Sequence, residues 1–478
     1  MSRRPLVLAL LAGISMSALL PTAGVHAEDL LQTYALARSG DPQLSAAEST
    51  RLATREGRVQ ARAAMLPQIS GDATLTRSRS TGLTSQTQFD AAGNPVQIPF
   101  NSESETTSRN LGLNLRQMVY DRSNFTRLKS QNALSQASDF QLQSAGDSLV
   151  TRTSLAYFNV LVAIETLAAA EAQQTALKKQ FDFASKRLEV GLAPITDVHE
   201  ARAQYESARA NAIVTGNALE DAYQALAEIT GQTVRNLKGL PENFQPALPV
   251  ARDAEGWVTA AIENNPALKA KQFQVQSAEA DVDTARAGHW PTLYLNGSYG
   301  DQKSWGDRTF SGLTLPSDSQ NRGPSLGLTL NVPIFSGGAT QSQVRQALAQ
   351  RDVASDELEQ QKRALVRNTR NAYQTLLAGI SEVEARRLAL VSARSAYDAS
   401  QVGLEVGTRT VLDVLNNQQT LFNAEREFAL ARYNFLQNRL LLEQAAGTLD
   451  IGDVQDVNRL LTVDAEAQLA PGDVAPAP

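Results

Sequence analysis

Two long stretches of the chain have the composition of unusually long helices. The stretch from Asp121 to Val190 contains no proline, and Gly146 is its only glycine before the final turn. The stretch from about Gly338 to Val406 is similar. About 70 residues at 1.5 Å per residue predict helices about 105 Å long. Helical patterns longer than about 25 residues without caps are typical of coiled coils.

Apolar residues spaced seven apart favour a left-handed supercoil in these stretches. In the second stretch they are Val383, Leu390, Tyr397 and Leu404. After each stretch a short turn leads to a shorter helix, at roughly 196–230 and 409–446, which must run antiparallel to the long one. Gly191 and Gly407 stand in the turns, where a helix end favours a left-handed residue. Thr408 is a candidate cap for the last of these helices.

Other segments alternate apolar and polar residues with a period of two, which predicts strands with one apolar face. The apolar positions of two such runs are Leu111, Leu113, Leu115, Leu326, Leu328 and Leu330. Leu293 and Leu295 alternate in the same way. The segments between paired strands, near 91–108 and 305–324, have the composition of solvated loops.

The two halves of the chain repeat the same motifs in the same order. Asp41-Pro42 recurs as Asn265-Pro266, and Glu189-Val190-Gly191 recurs as Glu405-Val406-Gly407. So long a period indicates one duplicated unit rather than a solenoid. Each unit opens with a helix that ends before a proline, at roughly 30–64 or 254–287. We therefore expect repeats at 28–231 and 253–449, an irregular connector at 232–252, and a C-terminal segment at 450–478 that is largely disordered from about 465.

The segment 1–27 is predicted to be a signal peptide. Arg3 and Arg4 precede an apolar run from Leu6 to Leu20, and Val25-His26-Ala27 fits a cleavage site. The run is short for a transmembrane anchor. No later stretch is expected to approach the roughly 18 apolar residues of a membrane helix, so any further membrane crossing must use strands.

Composition excludes several classes of function. The chain has no cysteine, three histidines and a net charge of -6. It therefore has no disulfide, thiol nucleophile or cysteine-zinc site, and its acidity argues against a nucleic-acid partner. His199 and His289 lie in different halves, and no phosphate loop, GxSxG or HExxH motif is present. We expect no catalytic residues, no cofactor and no metal.

The strand count raises a question of assembly. Each chain offers four convincing strands, and the edges of a four-stranded sheet cannot lie in lipid with unsatisfied backbone groups. Either the strands form a soluble pair of hairpins, or several chains pool them into one barrel. The signal peptide and the duplicated amphipathic hairpins favour pooling.

Several segments resemble the TolC-type outer-membrane efflux proteins, over nearly all of the mature chain. They are Pro333-Ile334-Phe335-Ser336-Gly337-Gly338, Ala201-Arg202-Ala203-Gln204-Tyr205-Glu206, and the turns at Val190-Gly191 and Val406-Gly407-Thr408-Arg409 with the Asp-Val pairs that follow them. The resemblance implies a mostly helical fold with some β-structure. Its coiled-coil hairpins form a trimeric helical barrel in the periplasm, and four strands per chain form a trimeric 12-stranded barrel in the outer membrane.

The resemblance also implies the function of an exit duct for efflux of small molecules or type I protein secretion. Its implied partners are two further copies of the chain, a periplasmic adaptor, an inner-membrane ABC, RND or MFS transporter, and outer-membrane lipid. In this interpretation the six alternating leucines face lipid. The alternative is a coiled-coil scaffold of the cell envelope that does not conduct ions.

The resemblance finally implies a gate at the periplasmic end. An arginine matching Arg409 bonds to residues matching Thr196 and Asp197, while a tyrosine of the same lock falls at Leu404, so that this link is missing. Asp413 matches the first of two acidic constriction rings. The second ring falls at Asn416 and is neutral here.

Overall fold

Residues 29–192, 194–248, 252–310 and 313–469 are described by a computed structural model. The predicted signal peptide lies outside these residues.

The first half of the chain contains α1 (Leu30–Gly40), α2 (Pro42–Ala63), β1 (Gln68–Phe89), β2 (Pro95–Tyr120), α3 (Arg122–Glu189) and α4 (Ile195–Thr230). A short strand follows, β3 (Lys238–Gly239). The second half contains α5 (Ala254–Asn264), α6 (Pro266–Ala287), β4 (Thr292–Phe310), β5 (Leu313–Pro316), β6 (Ser319–Asn331), α7 (Ala339–Glu405) and α8 (Val411–Ala446). The chain then forms α9 (Ile451–Leu460) and β7 (Val463–Asp464).

The long helices confirm the prediction from the two proline-free stretches. Helix α3 has 68 residues and α7 has 67. Each is followed by a 36-residue helix packed along it, α4 or α8. Gly191 and Gly407 have φ angles of 73° and 79°, which confirms their left-handed role in the turns. The predicted cap at Thr408 is wrong, because Thr410 caps α8 and the Thr408 hydroxyl donates to the Gly403 carbonyl.

The first helix of each half is broken, contrary to the prediction of single helices at 30–64 and 254–287. The breaks lie at Asp41-Pro42 and Asn265-Pro266. A proline has no backbone N–H and disfavours the helical conformation in the residue before it, so the helix stops and restarts. Asp41 and Asn265 then act as caps by accepting hydrogen bonds from backbone N–H groups of the next helix.

Five of the strands form one antiparallel sheet in the order β1-β2-β4, and both β5 and β6 pair with β4. Because β5 and β6 pair with different parts of β4, the sheet has four strand positions, as the sequence predicts. The predicted loops at 91–108 and 305–324 are mostly strand: β2 begins at Pro95, and β4 continues to Phe310. Serine- and threonine-rich segments become strands here because the neighbouring strand satisfies their backbone groups.

The main hydrophobic core surrounds the middle of α3, where that helix meets α4 and α8. Tyr157, Leu161 and Ile164 of α3 are fully buried there, and Leu436 and Leu440 of α8 pack against them. Helix α3 does contain a segment long and apolar enough to cross a membrane, so the expectation that no such stretch follows Leu20 is wrong. Half of that segment is buried within the single chain, as in a core helix.

Strand pairing and hydrogen bonds join the connector to the C-terminal segment. β3 pairs with β7, and the Glu466 carboxylate accepts a hydrogen bond from the backbone N–H of Asn236 at 2.8 Å. Glu466 also bonds to the Tyr223 hydroxyl, and Ala465 is buried. The expected disorder from about 465 is therefore wrong for residues 465–469. Residues 470–478 lie outside the described part of the chain.

Candidate functional site

One face of the sheet carries the six leucines that the sequence analysis places in lipid. The register sets Leu113 beside Gly71 on β1 and Tyr299 on β4, and Leu328 beside Leu295. Residues opposite each other in antiparallel strands share a face. Leu113 is 53% exposed and Leu328 62%, so this face has no cover within the chain.

The opposite face of the same strands is polar. The Asn114 amide donates to the Asp72 carboxylate at 2.8 Å, and the Asn296 amide donates to the Thr329 hydroxyl at 2.9 Å. Ser298 and Ser325 are also hydrogen-bonded to each other. An apolar face opposite a hydrogen-bonded polar face is the arrangement of a strand between lipid and a watery lumen.

The tips of the two helical hairpins enclose a cleft of about 1320 Å³. Asp197, at the start of α4, and Arg409, in the turn between α7 and α8, both line it. Among the described residues, no hydrogen bond or ion pair joins Arg409 to Asp197 or Thr196, and the Thr196 hydroxyl donates instead to Asp197 at 3.5 Å. The structure thus places both sides of the predicted link on one cleft, without direct contact. Leu404 also lines this cleft.

Asp413 completes the capping box that Thr410 forms at the start of α8. Its carboxylate accepts hydrogen bonds from the backbone N–H and the hydroxyl of Thr410, at 3.0 and 2.9 Å. These bonds, and more weakly the charge of Arg409, hold the pKa of the Asp413 carboxyl below its usual range. The carboxylate therefore stays ionised to unusually low pH. Asn416, one turn further along α8, is exposed.

Three polar side chains of the cleft were missed in the sequence analysis. Gln418 is only 3% exposed, and its side-chain nitrogen has no hydrogen-bond partner within the described residues. Glu171 and Gln180 on α3 line the same cleft, and each has one unpaired buried atom in the described structure. The available signal was a glutamine inside the otherwise apolar seam of α8.

A buried ion pair near the core was also missed. The Arg432 guanidinium donates to both oxygens of Glu165, at 2.9 and 2.7 Å, and to the Pro241 carbonyl at 3.2 Å. The Tyr433 hydroxyl donates to the same carboxylate at 2.9 Å. Within the described residues there is no group of three or more acidic or histidine side chains that could hold a metal ion.

Comparisons with known proteins agree with this geometry. The family described as "Outer membrane efflux protein" matches residues 33–232 and 257–448. The chain is 35% identical to the outer membrane protein TolC of Escherichia coli K12, over 98% of this chain and 92% of that protein. It is 29% identical to the alkaline protease secretion protein AprF of Pseudomonas aeruginosa, over 89% of this chain and 86% of that protein.

Solved structures show the same fold. The CmeC outer membrane channel of Campylobacter jejuni matches with a TM-score of 0.72 and 16% identity, over 96% of this chain and 98% of that one. The open state of the MtrE outer membrane channel of Neisseria gonorrhoeae matches with a TM-score of 0.65 and 18% identity, over 88% and 91%.

Proposed function

The chain belongs to the outer membrane efflux protein family, and from this membership we propose how its tip gates the duct and which partners it meets. The protein is an outer-membrane exit duct for efflux and type I secretion, with a long helical tunnel in the periplasm. Its fold class is a helical barrel joined to a 12-stranded β-barrel, with four strands from each of three chains.

The observation that carries the duct assignment is the pair of unpaired sheet edges. In the described structure, β1 pairs only with β2, and β6 pairs only with β4. Unpaired backbone groups cannot remain in hydrocarbon, so the outer edge of β6 must meet the β1 edge of a neighbouring copy. Closure by three copies leaves no edge.

Exposed apolar side chains on the helices support contacts between copies. Leu52 and Val59 of α2 are 58% and 57% exposed, and Val353 of α7 is 58% exposed. Ile213 of α4 and Leu388 of α7 are also more than half exposed. Helices α2, α4 and α7 lie at the sides of the helical layer, so a neighbouring copy would cover these residues.

The channel works with a periplasmic adaptor and an inner-membrane transporter. We propose that the transporter is of the ABC, RND or MFS class and that lipid covers the leucine face of the sheet. We also propose that the chain divides into repeats at 28–231 and 253–449, joined by the connector 232–252. We propose no catalytic residue, cofactor or resident metal for this duct.

For the gate, we propose that Arg409 closes the tip by bonding to Thr196 and Asp197, and that Asp413 forms an anionic ring with the neutral Asn416 below it. Support comes from the shared cleft, which Arg409 and Asp197 both line, and neither side chain makes another ion pair within the described residues. Since Leu404 supplies no hydroxyl to this lock, closure depends mainly on Arg409.

Arg409→Ser is expected to raise single-channel conductance in planar bilayers, together with sensitivity of cells to large antibiotics. Each charge-assisted link removed near a surface is worth roughly 1.5–3 kcal/mol of closed-state stability. Arg202→Ser, at an exposed position outside the cleft, is the matched control and should behave as wild type. Unchanged conductance in Arg409→Ser would exclude the link. A wild-type trimer that does not conduct would favour the scaffold alternative.

Asp413→Ala is expected to abolish most cation selectivity and most block by multivalent cations from the periplasmic side. Three carboxylates around one axis attract cations, and Asn416 supplies no second anionic ring. Selectivity should weaken as the pH falls and the ring becomes protonated: the bonds from Thr410 lower the pKa of each Asp413, whereas the neighbouring carboxylates of the ring raise it. Reversal potentials in a salt gradient measure this, with Asn416→Ala as the control. If Asp413 only caps α8, the variant loses some thermal stability and keeps its selectivity.

A further inference from the structure

A groove of about 550 Å³ lies on the sheet, at the outer end of its apolar face. Its lining includes Gly71, Leu111, Leu113, Tyr299, Asp301 and Arg322. The groove exists because β1 places the small residues Gly71 and Ala73 in the two rows where β2 places Leu113 and Leu111. The groove is therefore bordered by the leucines of β2, with Asp301 and Arg322 at one end, and the small side chains of β1 set its width.

Three basic side chains lie at the end of this groove that is furthest from the helices. The Arg109 guanidinium lies 3.3 Å from the Asp301 carboxylate, and that of Arg322 lies 4.0 Å from it on the other side. The Gln320 amide also donates to Asp301 at 3.0 Å. Lys303 is exposed and makes no ion pair within the described part of the chain. With one acid against three bases, this cluster carries a surplus of two positive charges per chain.

The cluster occupies only one end of the apolar band. The row of Ile69, Leu115, Gly297 and Leu326, which lies nearer the helices, is uncharged. The cations begin two rows further out. Because the helices extend into the periplasm, the charged end of the band lies at the external leaflet. Basic groups at the edge of a hydrophobic band recognise anionic lipid headgroups.

From this juxtaposition, and on the basis of the proposed membrane orientation, we propose that each chain binds one bis-phosphorylated glycolipid of the external leaflet. An acyl chain lies in the groove, while Arg322 and Lys303 hold the phosphates. Arg322 and Lys303 are on different strands and in different rows. Neighbouring strands lie about 4.8 Å apart and alternate residues about 6.6 Å apart, so the cations span more than a single phosphate. Asp301 positions the two arginines.

Native mass spectrometry of the detergent-extracted trimer, titrated with bis-phosphorylated lipid A, tests this proposal. We expect three bound molecules per wild-type trimer. The double variant Arg322→Gln with Lys303→Gln should bind about 25-fold more weakly, at about fivefold for each cation removed. Arg308→Gln, on the polar face of the same strand as Lys303, is the matched control and should bind as wild type.

Dephosphorylated lipid A, with the same acyl chains, should bind equally to wild type and to the double variant. Gly71→Leu should weaken binding of both lipids, because it fills the groove without changing any charge. A Cβ atom at Gly71 would meet only the Gly112 carbonyl, at 3.8 Å, and the rest of the leucine would enter the groove, so the variant should still fold. Equal binding of lipid A by wild type and the double variant, or equal loss in Arg308→Gln, would overturn the proposal. Conductance of the same samples shows separately whether the duct function holds.

Discussion

Leu113→Arg and Leu328→Arg are each expected to remove most of the assembled trimer from the outer membrane. Both leucines lie in the middle of the apolar face and are more than half exposed within the chain. An arginine on a lipid-facing strand costs about 2–4 kcal/mol near the bilayer midplane. Because every substitution is present three times, the cost per trimer is about 6–12 kcal/mol. The yield of trimer in washed outer-membrane fractions, compared on unheated gels, measures the effect.

The matched controls for this prediction are Asn114→Arg and Thr329→Arg, one residue further along the same strands. These positions face the polar side, and Asn114 already bonds to Asp72, which could pair with an arginine. Each control loses one hydrogen bond, worth about 0.5–1.5 kcal/mol, and should assemble nearly as wild type. Equal yields for the leucine variants and these controls would show that the face assignment is wrong.

Glu165→Gln is expected to destabilise each protomer by about 3–5 kcal/mol, because it leaves the Arg432 charge buried without its partner. Arg432 is 6% exposed at its side chain and Glu165 15%, so water has little access to replace the lost carboxylate. Arg432 also holds the Pro241 carbonyl, and loosening it should expose the connector. Thermal unfolding and limited proteolysis between 232 and 248 measure the two effects.

The double variant Glu165→Met with Arg432→Met separates charge burial from packing. Apolar residues of similar volume often replace a buried ion pair without loss of stability. We therefore expect the double variant to recover most of the stability that Glu165→Gln loses. If it is as unstable as the single variant, the hydrogen bonds to Tyr433 and Pro241 matter more than the unpaired charge.

The elements that were predicted well from the sequence are those fixed by local rules. The absence of proline set the lengths of α3 and α7, and Gly191 and Gly407 marked their ends. The helix breaks were missed although Asp41-Pro42 and Asn265-Pro266 were both noticed as repeat markers. An X-Pro pair allows a kink or a full stop, and here a side-chain cap on each side of the break made the stop stable.

The polar halves of the strands could not be predicted from local pattern. Residues 95–108 of β2 are rich in serine, glutamate and threonine, and they become strand only because β1 runs beside them. Such pairing between distant segments leaves little trace in a single strand. The ion pair of Glu165 and Arg432, 267 residues apart, was hidden for the same reason. By contrast, Asp197 and Arg409 were brought to one cleft by the turns that the sequence already marked.

The core lies far from the tip, so a small tilt of a long helix at the core produces a large displacement at the tip. Along α3 the main core ends near Ile164, and the cluster of buried apolar residues found beyond it in the described part of the tip is small, consisting of Leu177, Ala208 and Leu415. From Ile164 to Glu189, α3 continues for about 38 Å, so a tilt of about 5° at the core moves its end by about 3 Å, roughly the width of a water molecule. Each long helix can thus tilt about the core residues that surround Arg432. Substitutions among these core residues should change the aperture of a pore that they never touch.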